Sequence, residues 1–258
     1  MVILMNWFAV ASIFLVGCLT GFLSGLLGVG GGFLLVPLLI FIGVPTHMAI
    51  GNSLAYIVFT ALSGALQHYR QKSFNLKLAL PILCGGVVTA QIGAAITLYI
   101  EAKSLEILLG LILLAAGIRM VIQKQKNGGS SNNNVKESKH YGIFAPIAIG
   151  LITGFLSGLL GVGGGFLLVP LMVLLLNVPV HVAIGTSLMG IIGSATSGAI
   201  RHWMIGHVDL LTVGILAVGG VLSAPLGAKI SKKIPQQLLR KIFSAVLFLF
   251  ALKLLIPI

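Results

Sequence analysis

Charge is scarce in this sequence. Of its 258 residues only 8% are charged and only four are acidic, whereas 58% are hydrophobic. A soluble domain carries about a quarter charged residues, so a soluble chain of this composition would lack polar groups to cover its surface. A protein whose exterior faces hydrocarbon needs no such cover. The composition therefore excludes a soluble globular protein and favours a membrane protein.

Cysteine and paired acidic residues are also rare. The two cysteines, Cys18 and Cys84, fall in apolar stretches without metal-ligand spacing, and we predict that both are buried thiols. No HExxH motif and no acidic pair occurs inside an apolar stretch, which argues against an intramembrane enzyme. The glycine-rich segments lack the Lys-Ser/Thr ending of a phosphate-binding loop. We therefore predict no enzyme activity, no metal and no cofactor, and the scarcity of buried acid also disfavours cation transport.

Basic residues dominate the charge, which is +12 overall. Most of them lie in the segments between apolar runs, where anionic lipid headgroups and membrane insertion account for them. No basic stripe is interleaved with exposed aromatic residues. The expected partner is therefore the lipid bilayer and not a nucleic acid.

Long apolar runs make up most of the chain. They do not alternate apolar with polar residues as β-barrel strands do, so they predict helices that cross a hydrocarbon core of ~30 Å. The runs of the first half are Met1–Leu27, the shorter Phe33–Gly43, Ile50–Leu66, Leu78–Ile100 and Leu105–Ile122. Those of the second half are Tyr141–Leu160, the shorter Phe166–Asn177, Val182–Ile200, Leu210–Ile230 and Leu238–Ile258.

The two halves are copies of one unit, because the segment Thr20–Leu38 is repeated residue for residue at Thr153–Leu171. That segment reads TGFLSGLLGVGGGFLLVPL. With one extra residue in the second copy, PTHMAIGNSL at Pro45–Leu54 then matches PVHVAIGTSL at Pro179–Leu188. Apolar bias alone does not reproduce such a register of polar, glycine and proline positions. The chain is therefore an internal duplication.

A polar stretch rich in Gly, Asn and Ser, residues 123–142, separates the copies and predicts a flexible linker between repeats 1–122 and 143–258. Counting five segments in each half puts thirteen of the sixteen Lys and Arg residues on the linker's side, whereas four segments put ten there. The positive-inside rule favours the odd count, which also fits three crossings plus a re-entrant hairpin. The prediction is an inverted repeat with both termini outside and the linker in the cytoplasm.

The predicted fold is an all-α polytopic membrane protein with two inverted repeats of about five helical segments each. Glycines interrupt the helices at matching positions, which indicates a transporter whose site lies near the midplane. Free backbone N–H groups followed by a helix N-terminus favour an anion, although glycines can also serve close helix packing. The candidate substrate-binding glycines are Gly28, Gly30, Gly31, Gly32, Gly161, Gly163, Gly164 and Gly165.

Polar side chains within the third segment of each copy extend this candidate site. At membrane depth such side chains usually face the bundle interior, where a hydroxyl or amide can orient an oxyanion. Hydrogen bonding between helices is the alternative role. The candidates are Asn52, Ser53 and Ser63 in the first copy and Thr186, Ser187 and Ser197 in the second.

Four histidines also match through the repeat. His47 and His181 follow a proline at the head of the third segment of each copy, and His68 and His202 follow its other end. Placement at the membrane interface is one interpretation of these positions. A proton or anion relay is the other, because imidazole titrates near neutral pH. The coupling ion, H+ or Na+, and the oligomeric state stay open.

With GLLGVGGGFLLVP occurring twice, followed by PTHMAIGNSL and PVHVAIGTSL, the sequence resembles the TauE/SafE family of sulfite and organosulfonate exporter-like permeases. The resemblance covers nearly the whole chain. It implies a secondary transporter in a bacterial or archaeal plasma membrane for sulfite, organosulfonates or related sulfur-containing organic acids. Alternating access between the repeats is the expected mechanism. An anion channel and a transporter of carboxylates without sulfur are the alternatives.

Overall fold

A computed structural model of the chain describes residues 7–122 and 142–235 and single positions between 238 and 255. This described part is all-α, with nine helices and no strand, so the predicted all-α class is confirmed. Five of the helices are long and apolar enough to cross a membrane. The predicted linker 123–142 lies outside the described residues apart from Gly142, as do many positions of the predicted last segment, Leu238–Ile258.

The helices follow each other in two matching series. The first half contains α1 (Trp7–Leu27), α2 (Gly32–Phe41), α3 (Thr46–Arg70), α4 (Leu76–Thr97) and α5 (Ala102–Ile122). The second half contains α6 (Phe144–Leu160), α7 (Gly165–Leu175), α8 (Val180–Met204) and α9 (Leu210–Ser231). Helices α6 to α9 thus repeat α1 to α4.

Helices α2 and α7 are too short to cross a membrane. They contain 10 and 11 residues, which at 1.5 Å per residue is about half of the hydrocarbon core. Before α2 the chain folds back along α1. The proximity of Gly31 to α1 shows this path, since a Cβ atom built on Gly31 would lie only 2.9 Å from the carbonyl oxygen of Thr20. Helix α2 therefore returns beside α1 instead of continuing it, and then leads into α3.

Helices α3 and α8 are longer than the predicted segments Ile50–Leu66 and Val182–Ile200. Both begin directly after a proline, Pro45 or Pro179, a residue whose fixed φ suits the start of a helix. The apolar runs end at polar residues, but inside a bundle these polar residues stay helical because the backbone must satisfy its own hydrogen bonds. The prediction that His68 and His202 follow the segment is therefore wrong, because both lie within the last helical turn, while His47 and His181 lie within the first turn.

Helices of one half pack against helices of the other half. Helix α1 packs along α9, and the corresponding helix α6 packs along α4. Facing glycines allow a close approach, since a Cβ atom on Gly21 would lie 2.7 Å from the carbonyl oxygen of Gly220. In the second pair a Cβ atom on Gly154 would lie 2.5 Å from the carbonyl oxygen of Gly86. Close packing of small residues thus explains many interface glycines.

Helices α3 and α8 cross at the centre of the bundle. A Cβ atom on Gly198, near the end of α8, would lie 3.0 Å from a methyl group of Leu54, near the start of α3. Conversely, one on Gly64 would lie 3.0 Å from a methyl group of Leu188. The two corresponding helices therefore run antiparallel to each other. The orientation of each half in the membrane, and with it the side of the termini, stays a prediction.

The cysteines differ from the prediction of buried thiols. Cys18 is half-buried, but Cys84 is exposed on the outer face of α4. An apolar helix in a membrane protein has no need to bury all its apolar residues, because its outer face meets lipid. Burial therefore does not follow from an apolar run.

Gly158→Val should destabilise the bundle. A Cβ atom there would lie 2.8 Å from the carbonyl carbon of Ala90 and 2.9 Å from the amide nitrogen of Ala94. Such overpacking costs about 1–3 kcal/mol, so we expect a lower Tm in detergent. Gly214→Val is the matched control, since a Cβ atom there meets nothing within 4 Å. Equal Tm values for the two variants would contradict close packing of α6 on α4.

Candidate functional site

Two buried glycine loops meet in the bundle. The first glycine loop, residues 28–31, joins α1 to α2, and the second glycine loop, residues 161–164, joins α6 to α7. A Cβ atom on Gly32 would lie 2.7 Å from the carbonyl oxygen of Gly161, and one on Gly165 would lie 2.7 Å from that of Val29. Each short helix therefore begins against the glycine loop of the other half.

Both loops lie beside the middle of the two central helices. A Cβ atom on Gly30 would lie 2.5 Å from the side chain of Ile191 and 3.1 Å from that of Ile57. One on Gly163 would lie 2.8 Å from the same Ile57. These isoleucines are near the centres of α8 and α3. The N-termini of α2 and α7 thus come together deep inside the protein.

Glycine is required here by backbone shape as well as by crowding. Three residues in each loop have left-handed φ values, a conformation that glycine adopts without strain. The φ values are 73°, 80° and 85° for Gly28, Gly30 and Gly31, and 70°, 75° and 67° for Gly161, Gly163 and Gly164. The glycines therefore shape the site whether or not their N–H groups touch a ligand.

Ser53 and Ser187 join the two halves at these loops. The Ser53 hydroxyl donates to the carbonyl oxygen of Gly161 at 2.7 Å, and the Ser187 hydroxyl donates to that of Gly28 at 2.5 Å. Both serines are fully buried. These two candidate substrate contacts are thus next to the loops, and each already makes a hydrogen bond across the halves.

Asn52 and Thr186 contact the starts of long helices. The side-chain oxygen of Asn52 accepts a hydrogen bond from the backbone N–H of Asp209 at 2.7 Å, just before α9. The Thr186 hydroxyl oxygen accepts one from the N–H of Asn75 at 3.0 Å, just before α4. Each of these hydrogen bonds therefore stabilises the N-terminus of a helix in the other half, α9 for Asn52 and α4 for Thr186.

Ser63 and Ser197 bond to helix carbonyls and not to the glycine loops. Ser63 donates to the carbonyl oxygen of Val221 at 2.9 Å, and Ser197 donates to that of Val87 at 2.7 Å. Each bond connects α3 or α8 with a helix of the other half. This arrangement matches the alternative role of hydrogen bonding between helices.

Two hydroxyl groups that the sequence did not single out lie at the loops. Ser24 and Ser157 occupy matching positions in α1 and α6, and both are fully buried. Neither hydroxyl oxygen has a hydrogen-bond partner among the described residues. A buried polar group without a partner is costly and points to a missing ligand or water. The sequence indicates these serines only through their position, since both lie inside the repeated segment, four residues before the first glycine of each loop.

Tyr56 and Thr60 are further buried polar groups that the sequence did not single out. The Tyr56 hydroxyl donates to the carbonyl oxygen of Gly17 at 2.8 Å and lies 2.8 Å from the hydroxyl of Thr20. Thr60 donates to the carbonyl oxygen of Gly30 at 3.1 Å. Both residues therefore connect α3 with the first copy of the repeated segment. Their signal in the sequence is weak, because neither is matched by the same residue in the second copy.

The histidines form two separate groups at opposite ends of α3 and α8. At one end the ring of His207 lies 5.3 Å from that of His47 and 5.7 Å from that of His202, between centroids. At the other end His181 lies near His68. Within the described residues no group of three or more His, Cys, Asp or Glu side chains could hold a metal ion. The structure thus divides the predicted relay residues into two pairs.

The buried histidines His68 and His202 contact the helices that lead into the loops. The Nε2 atom of His68 lies 3.1 Å from the carbonyl oxygen of Gly25, and that of His202 lies 3.4 Å from the carbonyl oxygen of Gly158. Both side chains are almost fully buried. They are therefore part of the packing between α3 or α8 and the helices that lead into the loops.

The family follows from comparison with known sequences. A family model described as "Sulfite exporter TauE/SafE" matches residues 13–254 of this chain. The chain belongs to the TauE/SafE family. The resemblance noted in the sequence is therefore confirmed, and this TauE/SafE protein is a multi-pass membrane transporter.

Curated relatives of this TauE/SafE chain carry matching names. "Probable membrane transporter protein YunE" of Bacillus subtilis is 31% identical, over 93% of this chain and 94% of the relative. YdhB of the same organism, which has the same description, is 33% identical over 88% and 93%. A relative from the archaeon Methanocaldococcus jannaschii, again described as a membrane transporter, is 31% identical over 94% of each chain. No solved structure is significantly similar to this chain.

Ser53→Ala and Ser187→Ala should each lower the free energy of unfolding by about 1–2 kcal/mol, because a buried carbonyl group loses its donor. The measurement is thermal unfolding in detergent without substrate. Ser130→Ala in the predicted linker is the control. An unchanged Tm for both site variants, together with altered ligand binding, would indicate that these serines serve only the substrate.

Stability should fall on acidification partly because of His207, which lies between α8 and α9. Burial, followed by the proximity of His47, lowers the pKa of His207 below its usual value. The unfolded chain then takes up a proton first as the pH falls through about 6.5, so the folded state loses stability. His207→Gln should make Tm less dependent on pH between 7 and 5. Identical pH profiles for this variant and for His140→Gln, in the predicted linker, would contradict the effect.

Proposed function

We propose that this protein is a secondary transporter of small anions that binds its substrate where the two glycine loops meet. The observation that carries the proposal is the position of α2 and α7, whose N-termini each begin against the loop of the other half. A helix N-terminus bears about half a positive charge and free N–H groups. Two such ends in a buried setting favour an anion over a cation.

The positions of the acidic side chains also support a negatively charged substrate. Among the described residues, Glu101 and Glu106 lie at the start of α5, where Glu106 accepts a hydrogen bond from Thr46 at 2.5 Å. Asp209 caps α9 and accepts a bond from Thr212. None of these carboxylates contacts the glycine loops in the recorded hydrogen bonds. An anion at the loops would therefore meet hydroxyl and N–H donors without a neighbouring negative charge.

The chemistry of the donors supports sulfite, organosulfonates or related sulfur-containing organic acids as substrates. Buried hydroxyls beside the loops, those of Ser24 and Ser157, can donate to an oxyanion, and backbone N–H groups can supply further bonds. A sulfite or sulfonate group presents three oxygen atoms to such donors. The family description also names sulfite. Carboxylates without sulfur are the second candidate, because they offer oxygen atoms of similar charge.

Alternating access between the two halves is the proposed mechanism. The antiparallel packing of α3 on α8 supports opposite orientations of the repeats, and the distribution of Lys and Arg supports outer termini and a cytoplasmic linker. Bonds such as Ser53 to Gly161 cross the interface that would have to rearrange. Relatives in Bacillus and Methanocaldococcus support a bacterial or archaeal plasma membrane.

The test combines a binding screen with a flux assay. Purified protein is screened by thermal shift against sulfite, sulfate, thiosulfate, taurine, sulfoacetate and acetate, because a ligand that binds the native state raises Tm. We expect a sulfur-containing anion to give the largest shift and to show saturable flux in proteoliposomes.

Three results would contradict parts of this proposal. Flux that rises linearly with concentration, together with single-channel currents, would indicate an anion channel. A Tm shift with acetate alone would favour carboxylates. No Tm shift and no flux with any of these anions would reject anion transport.

A further inference from the structure

The C-terminal ends of α3 and α8 carry equivalent histidines but differ five residues later. His202 of α8 corresponds to His68 of α3, whereas His207 corresponds to Ser73. The backbone is alike in both copies. The N–H of Ser73 donates to the carbonyl oxygen of His68 at 3.1 Å. The N–H of His207 likewise donates to the carbonyl oxygen of His202 at 2.9 Å. A serine and an imidazole thus occupy equivalent positions of the fold.

In the first copy the buried His68 ring has a partner at each nitrogen. Its Nε2 atom lies 3.1 Å from the carbonyl oxygen of Gly25. A carbonyl oxygen only accepts, so Nε2 carries the hydrogen and Nδ1 is the acceptor of the neutral ring. The Ser73 hydroxyl lies 3.4 Å from both Nδ1 and the His68 carbonyl oxygen, and its hydrogen is within reach of either acceptor. The neutral imidazole of His68 therefore has a donor beside its acceptor nitrogen.

In the second copy the His202 ring lacks this second partner. Its Nε2 atom lies 3.4 Å from the carbonyl oxygen of Gly158, which again assigns the hydrogen to Nε2. The Nδ1 atom is then an acceptor, and it is buried without a hydrogen-bond partner among the described residues. The whole His202 side chain is fully buried. Because a buried acceptor without a donor is costly, His202 is stabilised by any group that brings a hydrogen to Nδ1.

Two more imidazoles lie at the same end of the bundle. The ring of His207 lies 5.7 Å from that of His202 and 5.3 Å from that of His47, between centroids. The Nδ1 atoms of His207 and His47 are also buried and without a partner in the part of the chain that the structure describes. Both of these residues are half-buried. The three rings, called the histidine cluster below, therefore lead from a partly exposed position to the unsatisfied nitrogen of His202.

The acidic side chains at this end have other partners. Glu106 of α5 accepts a hydrogen bond from the hydroxyl of Thr46, and Asp209 accepts two at the start of α9. None of these recorded bonds goes to a histidine. The remaining charged residues on the elements at this end are Glu101, Lys103 and Arg201. The imidazoles are therefore the groups here that exchange a proton near neutral pH.

The opposite end of the bundle does not offer an equivalent cluster. There His181 corresponds to His47, but Ser73 replaces the third imidazole and lies beside His68. The positive charge of Lys232 acts on both His68 and His181. A fixed positive charge opposes a second one nearby. Proton binding is therefore favoured at the histidine cluster and not at its counterpart.

The cluster is connected to the second glycine loop through one hydrogen bond. Gly158, which accepts from His202, lies in the last turn of α6 and three residues before Gly161, where that loop begins. A positive charge on His202 therefore lies within about one helical turn of the loop. In a buried setting such a charge favours an anion at the loop, and the anion in turn favours the charge.

We infer that His47, His207 and His202 form a proton-binding site, and that the bound proton is transported together with the substrate anion. A hydronium ion gives its proton to the cluster and leaves as water, and one neutral imidazole becomes an imidazolium ion. The proton is held at the Nδ1 atom of His202, where it supplies the missing hydrogen. This inference rests on the proposed anion transport. The distribution of Lys and Arg predicts that this end of the bundle faces the outside.

The first experiment measures how pH changes anion binding. The probe is the anion of the binding screen, such as sulfoacetate or sulfite, that raises the wild-type Tm most, and its Kd is measured by calorimetry at about pH 7 and pH 5. Burial, followed by the proximity of His47, lowers the pKa of His207, so this ring is neutral at pH 7 and takes up a proton on acidification. A bound proton should therefore strengthen anion binding at the lower pH.

The test variant is His207→Ser, because it gives the second copy the serine that the first copy has beside His68. The new hydroxyl can donate to Nδ1 of His202, so no buried acceptor is left without a donor. The Kd of His207→Ser should equal that of the wild type at pH 7 and exceed it about 5-fold or more at pH 5. Comparison at the same pH removes any protonation of the anion itself. Tm at pH 7 without ligand shows that the variant is folded, and His207→Gln takes its place if it is not.

The matched comparison is His181→Gln at the opposite end. The ratio of its Kd to that of the wild type should be the same at both pH values. Flux in proteoliposomes gives a second readout, with the membrane potential clamped by K+ and valinomycin. If one proton moves with each anion, a gradient of one pH unit should accumulate the probe about 10-fold on the alkaline side. His207→Ser should lose this accumulation.

The outcomes separate this inference from the proposed function. A wild-type Kd that is equal to that of His207→Ser at pH 5, or higher, would overturn the proton site and leave anion transport intact. Accumulation driven by a Na+ gradient and not by a pH gradient would overturn it too. A pH effect lost in His181→Gln but kept in His207→Ser would place proton binding at the wrong end for this inference. If the wild type neither binds nor transports any anion of the screen, the proposed function fails and the proton coupling fails with it.

Discussion

The structure depends on how backbone groups are satisfied where a helix breaks inside an apolar bundle. Hydrocarbon offers no hydrogen-bond partner, so the broken segments must find partners within the protein. Here each glycine loop finds a donor in the other half, Ser53 for Gly161 and Ser187 for Gly28. Both of these bonds run between the halves, and the two copies therefore depend on each other.

The same dependence brings the candidate site together. Because each short helix begins against the glycine loop of the other half, the N-termini of α2 and α7 meet beside the centres of α3 and α8. Left-handed glycines allow the tight turns, and facing glycines such as Gly21 and Gly220 allow neighbouring helices to approach closely. A site built from both halves is also one whose shape changes when the halves move, as the proposed alternating access requires.

Two identical segments do not make two identical sites. The glycine loops and the serines before them are the same in both copies, but the residues that cover them differ, with Tyr56 in one helix and Gly190 in the other. Backbone geometry is thus shared by the repeats, whereas the space beside each loop is set by the covering side chain.

The sequence by itself determined the membrane class, the helices, the duplication and the family, because composition, long apolar runs and a repeated segment are local properties of the chain. It placed the helix ends less well, since polar residues such as His68 continue a helix when they are buried. Only the tertiary structure decided the roles of the polar side chains. Ser63 and Ser197 bond to helix carbonyls, while Ser24 and Ser157 have no hydrogen-bond partner among the residues that the structure describes. The physical reason is that a hydroxyl group's partner depends on which helix lies opposite it, and here that helix is often more than 100 residues away along the chain.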